Sequence, residues 1–139
     1  MTATYLGSGD IARQRNDYYP AWLDNLADDV TLEASAIDGA VEGADDVRSV
    51  VLAVKSLYPY QDINFTGDYG DRYFIEDYTT QIHGEPFGVM GVITRNAAGQ
   101  TQHCVVNQRP RSTVLLVSRL LGEKFDGTPL ANRFLASKS

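Results

Sequence analysis

The sequence predicts an α+β domain in which helices cover one face of a curved antiparallel sheet. Residues 73–109 read as three strands joined by two tight turns, at His83–Pro86 and at Asn96–Gly99. Between Val47 and Tyr58, apolar residues recur at intervals of three and four, which is the pattern of an amphipathic helix. Helices, a short hairpin, a further helix and then a long meander of strands are typical of this fold class.

The first third of the chain predicts two short helices followed by a hairpin. Pro20 suits the first position of a helix, where its missing N–H is not needed, and Asp38-Gly39 is a strong hairpin signal. The predicted elements are a helix over residues 11–18, a helix over 20–27, a strand over 30–36 and a return strand over 40–42.

The rest of the chain predicts a long helix, four strands and a final helix. Asp45 and Asp46 place negative charge in the first turn of the long helix, which Pro59 ends. Ser112 is the predicted cap of the final helix. The predicted elements are a helix over residues 47–58, a strand over 61–66, a loop over 67–71, three strands within 73–109, a helix over 113–125 and a loosely packed tail from residue 126.

Composition excludes several classes of partner. The chain has 139 residues, enough for one domain over 1–139 with a real core, and a net charge of −6. This acidic balance argues against nucleic acid, whose phosphates require a basic face, and against an anionic membrane surface. Cys104 is the single cysteine, and His83 and His103 are the only histidines. We therefore expect no disulfide, no metal site and no cofactor, in a cytoplasmic protein without a membrane span.

Four short segments, taken in order, resemble the SnoaL-like family of the nuclear transport factor 2-like superfamily, which also contains ketosteroid isomerase. The matching segments are Leu26–Glu33, Val41–Gly43, Gly84–Phe87 and Arg95–Gln100. Each segment alone is a weak signal, whereas their order and spacing together are more specific. The resemblance covers roughly residues 18–110.

The resemblance implies a cone-shaped fold, in which a strongly curved antiparallel sheet wraps a pocket closed by N-terminal helices. The C-terminal helix is an addition to this pattern. The resemblance also implies a homodimer, since family members commonly pair through the outer face of the sheet. Members include isomerases, cyclases, dehydratases, epoxide hydrolases and non-catalytic binding modules, so the fold leaves the function open.

The residues that carry ketosteroid isomerase chemistry are absent from their family positions. That chemistry requires a carboxylate base and hydrogen-bond donors to the developing enolate. The base position aligns with Ala34, and the acid of the oxyanion hole aligns with about Gly91. Tyr18 or Tyr19 is a candidate for the tyrosine donor. The resemblance therefore disfavours the isomerase mechanism in its usual form.

The resemblance also implies which residues of the three-strand stretch face the pocket, at every second position counted back from Gly84. A slip of one residue in this register would turn the opposite set inward, including Asp77, His83, His103 and Asn107. The inward set is Phe74, Glu76, Tyr78, Thr80, Ile82, Phe87, Val89, Gly91, Ile93, Cys104, Val106 and Gln108.

Glu76 and Tyr78 are the predicted catalytic residues. Glu76 would be the one carboxylate in an apolar pocket, where desolvation raises a carboxyl pKa and suits the group to acid or base work. Tyr78 shares its face and is a candidate donor to an oxyanion. Two alternatives stay open: Glu76 lies at the pocket mouth, or it pairs with a cation such as Arg48. The predicted substrate-binding residues are Tyr18, Tyr19, Trp22, Phe74, Thr80, Phe87, Val89, Cys104, Val106 and Gln108.

Two functions follow from these expectations. The first is binding of a small, mostly apolar molecule, with acid–base activity of the isomerase, cyclase or hydrolase type. The second is a non-catalytic module for dimerisation or partner docking, which the vacant positions Ala34 and Gly91 and the apolar helix at 113–125 favour. His103 and Asp77 form an alternative acid–base pair, although the predicted parity places both on the outer face.

Overall fold

The computed structural model describes residues 14–135, and its architecture is the predicted α+β class. Across these residues, seven strands form one sheet in the order β1-β4-β5-β6-β7-β2-β3. The strands are β1 (Gln14–Arg15), β2 (Leu26–Ala34), β3 (Val41–Glu42), β4 (Gln61–Tyr69), β5 (Tyr73–Ile82), β6 (Glu85–Arg95) and β7 (Thr101–Arg109). The helices are α1 (Ala44–Lys55), α2 (Arg111–Lys124) and two 3-10 helices, Ala21–Asp24 and Pro129–Arg133.

The predicted three-strand meander is confirmed as β5, β6 and β7, which pair antiparallel. The β5–β6 turn consists of His83 and Gly84, both with positive φ (50° and 81°), as two-residue hairpins prefer. At the β6–β7 turn, Asn96 Oδ1 accepts hydrogen bonds from the backbone N–H groups of Ala98 and Gln100, each at 3.0 Å. These turns fix the register, which decides the face that each side chain lines.

Burial along β5 follows the predicted parity except at Thr79, which has the opposite parity and is 4% exposed. Glu76, Tyr78 and Thr80 are only 5%, 7% and 3% exposed. Glu76 lies opposite Gly91 and Tyr78 lies opposite Val89 in β6, so these residues share the inner face of the sheet. The predicted inward orientation is therefore confirmed, and the one-residue slip is not observed.

The predicted helix over residues 20–27 is wrong at its C-terminal end. The 3-10 helix ends at Asp24, and β2 begins at Leu26 rather than at Val30. β2 pairs with β7 in parallel, and its register shifts between Leu26 and Thr31. This irregularity breaks the alternation by which a strand is recognised in a sequence, and that is why the early part of β2 was predicted as helix.

Other predicted boundaries near the sheet edges are also corrected. Residues 1–13 lie outside the described residues, and with them most of the predicted helix over 11–18. Gln14 and Arg15 form β1 against β4 instead of the end of a helix. β4 continues to Tyr69, through the loop predicted from Gly67. The return strand is confined to Val41–Glu42. Pairing with a neighbouring strand, which the local sequence does not reveal, sets these limits.

Helix α1 covers the inner face of the sheet with Val47, Val50 and Ala53, all buried. Helix α2 packs against β6, β7 and α1. It begins at Arg111, with Pro110 at the N-cap position, so Ser112 lies in the first turn and the predicted cap is wrong. No helix among the described residues is long and apolar enough to cross a membrane.

The segment after α2 packs closely, contrary to the prediction of a loose tail. Phe134 is 9% exposed and stacks on Phe125, with ring centroids 5.9 Å apart. The Leu135 N–H donates to Ser118 Oγ at 3.0 Å. A side chain on Gly122 would lie 2.1 Å from the Leu135 carbonyl oxygen, so glycine permits this close approach. The tail therefore forms part of the core at this end of the domain.

Candidate ligand cavity

A small cavity lies between α1 and the inner face of the sheet. Its volume is about 60 Å³, well below the roughly 300–1,000 Å³ of pockets that take drug-sized molecules. Most of its lining is aliphatic, contributed by β2, α1, β6 and β7. The polar and aromatic lining residues are Trp22, Lys55, Tyr58, Gln61, Glu76, Tyr78 and Gln108.

Glu76 is the carboxyl group of this cavity. Tyr18 Oη donates to Glu76 Oε2 at 2.6 Å, and Trp22 Nε1 donates to Glu76 Oε1 at 3.4 Å. Burial raises the pKa of Glu76, and the two hydrogen bonds oppose this shift because they stabilise the carboxylate. A carboxyl group that neutral donors hold in an apolar wall, with its pKa raised by burial, is a candidate for acid–base work.

Both alternative positions for Glu76 are excluded by this geometry. Its side chain is buried rather than placed at an open mouth. Arg48 lies elsewhere, with its Nη1 3.6 Å from Asp24 Oδ1 and 3.5 Å from Tyr19 Oη. Within residues 14–135, Glu76 forms no ion pair, so no cation offsets the desolvation of its carboxylate form.

Glu76 lies over Gly91. A β-carbon at Gly91 would lie at ordinary van der Waals distance from the Glu76 side chain, 3.6 Å from Cγ and 3.7 Å from Oε1. The carboxyl group thus lies over the strand position that the sequence resemblance left vacant, but it comes from the neighbouring strand. Ala34 also lines the cavity and contributes only a methyl group to it.

Tyr78 is hydrogen-bonded to Tyr58, with their hydroxyl oxygens 3.0 Å apart. The two rings meet edge to face at 5.6 Å between centroids. Burial raises the pKa of both phenols, so both hydroxyl groups carry protons at physiological pH. One proton serves the hydrogen bond between them. In the described part of the chain the second has no acceptor, which makes it a donor for a molecule in the cavity.

The structure brings some of the predicted binding residues to the cavity. Trp22, Val89, Val106 and Gln108 line it. Tyr18 is half-buried and reaches the cavity through its hydrogen bond to Glu76. These residues come from the segment before β2 and from β6 and β7, which the sheet order places around β5.

Six predicted binding residues are absent from the cavity lining. Tyr18 still contacts Glu76, and the prediction for the other five is corrected. Tyr19 is 43% exposed and donates to Asp24 Oδ1 at 2.8 Å. Thr80 donates to the Tyr60 carbonyl oxygen, and Phe87 packs with Tyr58 in the core. These three side chains have the predicted parity or position, but they contact other groups of the protein instead of the cavity.

Cys104 and Phe74 are the other two corrected residues. Cys104 is fully buried, and burial raises the pKa of its thiol to about 12, so it behaves as a small hydrophobic side chain. Phe74 lies opposite Ile93 in the sheet and packs against the core beyond Glu76. The parity of a residue along a strand determines which face of the sheet its side chain lies on. Whether that side chain reaches the cavity depends on how far along the strand the residue lies.

Among the polar and aromatic residues of the cavity lining, sequence reasoning missed three: Lys55, Tyr58 and Gln61. Lys55 and Tyr58 lie three residues apart in the segment whose helical pattern predicts only core packing. A signal was available, because a lysine on the face that carries Val51 and Tyr58 places its stem among apolar neighbours. Gln61 carried no comparable signal, since it begins a strand of ordinary composition.

The alternative pair of His103 and Asp77 is not formed. His103 Nε2 lies 3.2 Å from Glu33 Oε1, and its Nδ1 is hydrogen-bonded to Thr31. Asp77 Oδ1 lies 3.4 Å from Arg109 Nη2. Among the residues that the structure describes, no group of three or more potential metal ligands converges.

No protein-family model and no curated protein matches the chain. Solved structures do match. An uncharacterised protein with a cystatin-like fold from Silicibacter pomeroyi aligns with a TM-score of 0.70 at 19% identity, over 76% of this chain and 74% of its own. A steroid delta-isomerase from Pseudomonas aeruginosa aligns with a TM-score of 0.68 at 14% identity, over 75% of this chain and 77% of its own.

A third match is a nuclear transport factor 2-like protein of unknown function from Burkholderia xenovorans. Its TM-score is 0.50 at 15% identity, over 64% of this chain and 66% of that protein. At these identities the likenesses concern the fold alone, since one fold serves many activities.

Proposed function

We propose, on the premise that this chain has the nuclear transport factor 2-like fold, that it binds a small, mostly apolar molecule and performs acid–base chemistry of the isomerase type on it. Glu76 is the proton-transferring group in this proposal, and the Tyr58–Tyr78 pair supplies the donor. The sequence resemblance to SnoaL-like proteins and the structural likeness to a steroid delta-isomerase support the same reaction class.

The observation that carries the proposal is the environment of Glu76. A structural carboxylate in a core is ordinarily offset by a cation or by several backbone donors. Here the carboxyl group meets a phenol and an indole, lines a cavity and has a raised pKa. Such a group passes readily between its two protonation states, as a general acid–base group must.

The proposed reaction moves one proton between two carbon atoms of the substrate. Ionised Glu76 removes a proton from carbon next to a carbonyl group, and the electron pair moves onto the carbonyl oxygen. The spare hydroxyl proton of the Tyr58–Tyr78 pair forms a hydrogen bond to that oxygen as its charge develops. Glu76 then returns the proton to a different carbon, so the net change is an isomerisation that consumes no co-reactant.

The test uses the one tryptophan of the chain as a reporter. Because Trp22 Nε1 is hydrogen-bonded to Glu76, its indole N–H signal in a ¹H–¹⁵N spectrum reports on the cavity. We expect cyclohex-3-enone to shift this signal and to be converted to its conjugated isomer, with a rise in ultraviolet absorbance. Glu76→Gln should lower turnover at least 100-fold, while the control Glu85→Gln, at an exposed site on β6, should not. Full turnover by Glu76→Gln would remove Glu76 from the mechanism.

A second candidate function is homodimerisation, alone or together with catalysis. On the outer face of the sheet Phe65, Tyr69, Tyr73 and Met90 are 54%, 73%, 37% and 40% exposed. We call these four residues the outer patch. Large exposed apolar groups on one face favour association with another protein surface. Asp77 and Arg109 on the same face give it both signs of charge, which suits pairing with a second copy of itself.

A further inference from the structure

A second set of polar groups in the cavity lining, separate from Glu76, indicates the class of ligand. Gln61 is 4% exposed and lines the cavity, yet in the described residues its side-chain amide forms no hydrogen bond. Among the described residues no buried side-chain nitrogen or oxygen atom lacks a partner, so the unpaired amide of Gln61 is accessible from the cavity rather than enclosed by the core. An unpaired amide that faces a cavity is therefore a group that a ligand would satisfy.

Lys55 also lines the cavity. Of the described lining residues it is the only cation, and its ammonium group has neither an ion pair nor a hydrogen bond inside residues 14–135. It ends α1 one turn before Tyr58, and the Tyr58 N–H donates to the Lys55 carbonyl oxygen at 3.1 Å. Lys55, Tyr58 and Gln61 thus cluster where α1 passes into β4.

The unused hydrogen-bonding capacity of this cluster, and of Gln108 in the same cavity lining, consists mainly of donors. Lys55 offers three N–H donors and the Gln61 amide two. Gln108 Oε1 already accepts from the Ala36 N–H at 3.0 Å, which leaves the amide nitrogen of Gln108 available. Of the two amide oxygens, that of Gln61 is the one that accepts no hydrogen bond within the described residues. A ligand that complements them must present acceptor oxygens and negative charge.

We propose that the ligand carries a carboxylate, held by Lys55 and Gln61, with its apolar body directed along the cavity towards Glu76. The inference rests on the proposed function, since both concern one cavity. Gln61 precedes Asp62, which pairs with Thr79, so Gln61 lies about four residues along β5 from Glu76. That separation is about 13 Å of strand, which keeps the carboxylate apart from Glu76. The substrate class is therefore a small carboxylic acid with a mostly apolar body.

The experiment compares three probes that differ only in the head group: 4-methylpentanoate, 4-methylpentanamide and 4-methylpentan-1-ol. Each is titrated at pH 7 into the ¹⁵N-labelled full chain, and affinity is read from the Trp22 indole signal. We expect the carboxylate to bind at least ten times more tightly than the amide or the alcohol, because only the carboxylate pairs with the Lys55 ammonium.

Matched variants locate the head group. Lys55→Met should abolish the preference for the carboxylate, and Lys55→Arg, which keeps the charge, should retain most of it. The control Lys124→Met removes the equivalent exposed lysine from the last turn of α2 and should change nothing. Gln61→Met should weaken the binding of 4-methylpentanoate several-fold, whereas Gln81→Met, at an exposed position of β5, should not.

The outcomes separate this inference from the proposed function. Equal affinity for all three probes, or a carboxylate preference that survives in Lys55→Met, overturns the carboxylate assignment and leaves small-molecule binding in place. If none of the probes shifts the Trp22 signal and cyclohex-3-enone also fails to do so, both are overturned. A carboxylate preference that Lys55→Met removes, in a variant that retains the native spectrum, supports the assignment.

Discussion

Two neighbouring carboxyl groups on β5 have opposite environments because they lie on opposite faces of the sheet. Glu76 on the inner face is buried, meets two neutral donors and has a raised pKa. Asp77, the next residue, faces outward and pairs with Arg109. One step along a strand therefore decides whether a carboxylate is part of a surface ion pair or is available for proton transfer.

The largest expected effect is the response of the Glu76 environment to pH. Because the folded-state pKa of Glu76 is raised, the folded protein holds this proton more tightly than the unfolded chain does. The stabilisation from Glu76 is fully present below the unfolded value of about 4.5 and declines as pH rises towards the folded-state pKa. At low pH the free energy of unfolding of the wild type should exceed that of Glu76→Gln by about 1–3 kcal/mol. This difference should shrink as the pH increases.

The measurement is urea unfolding of both proteins from pH 4 to pH 8. Asp77→Asn is the control, because it alters a carboxyl group on the outer face and should not abolish the pH dependence that Glu76 provides. An advantage of the wild type over Glu76→Gln that grows with rising pH would contradict the assigned direction of the pKa shift.

A smaller effect is expected from the neighbouring tyrosines Tyr18 and Tyr19. Tyr18→Phe removes the 2.6 Å hydrogen bond to Glu76, so it should destabilise the protein by about 1–2 kcal/mol. It should also raise the pKa of Glu76 further, since this bond stabilises the carboxylate. Tyr19→Phe loses only exposed contacts with Asp24 and Arg48 and should change stability less than Tyr18→Phe does.

Thermal unfolding compares the stabilities of the two variants, and the pH dependence of the Trp22 indole shift follows Glu76. Equal effects of the two substitutions would show that the Tyr18–Glu76 hydrogen bond adds nothing to the folded state.

The smallest effect on monomer stability is expected at the outer patch. Met90→Lys places a charge on a side chain that is already 40% exposed, so the free energy of unfolding should change by less than about 0.5 kcal/mol. The proposed homodimer should nevertheless dissociate, because the new charges meet across its interface. Leu52→Lys, at an equally exposed site on α1, is the control and should leave the dimer intact.

Sedimentation velocity at micromolar concentration distinguishes these species. A wild-type monomer under these conditions would contradict the proposed homodimer, and a Met90→Lys dimer would place the interface on another surface.

Several features of the site were predictable because they depend on strand periodicity. The predicted cone-like α+β fold is confirmed, and Glu76 and Tyr78 lie on the predicted face because side chains alternate strictly along a strand. The partners of Glu76 were not predictable. Tyr18 and Trp22 are more than fifty residues away in the chain, and they reach the carboxyl group only through the path of the segment before β2.

The sequence by itself determined the meander, its two turns and the inner face, because alternation and turn chemistry are local properties of the chain. Only the tertiary structure decided the parallel pairing of β2 with β7 and the approach of Lys55 and Gln61 to one cavity. The structure also separated Gln108, which lines the cavity, from Thr80 and Cys104, which share its inward orientation but are enclosed by the core. These outcomes depend on which distant elements pack together, and no local pattern encodes that choice.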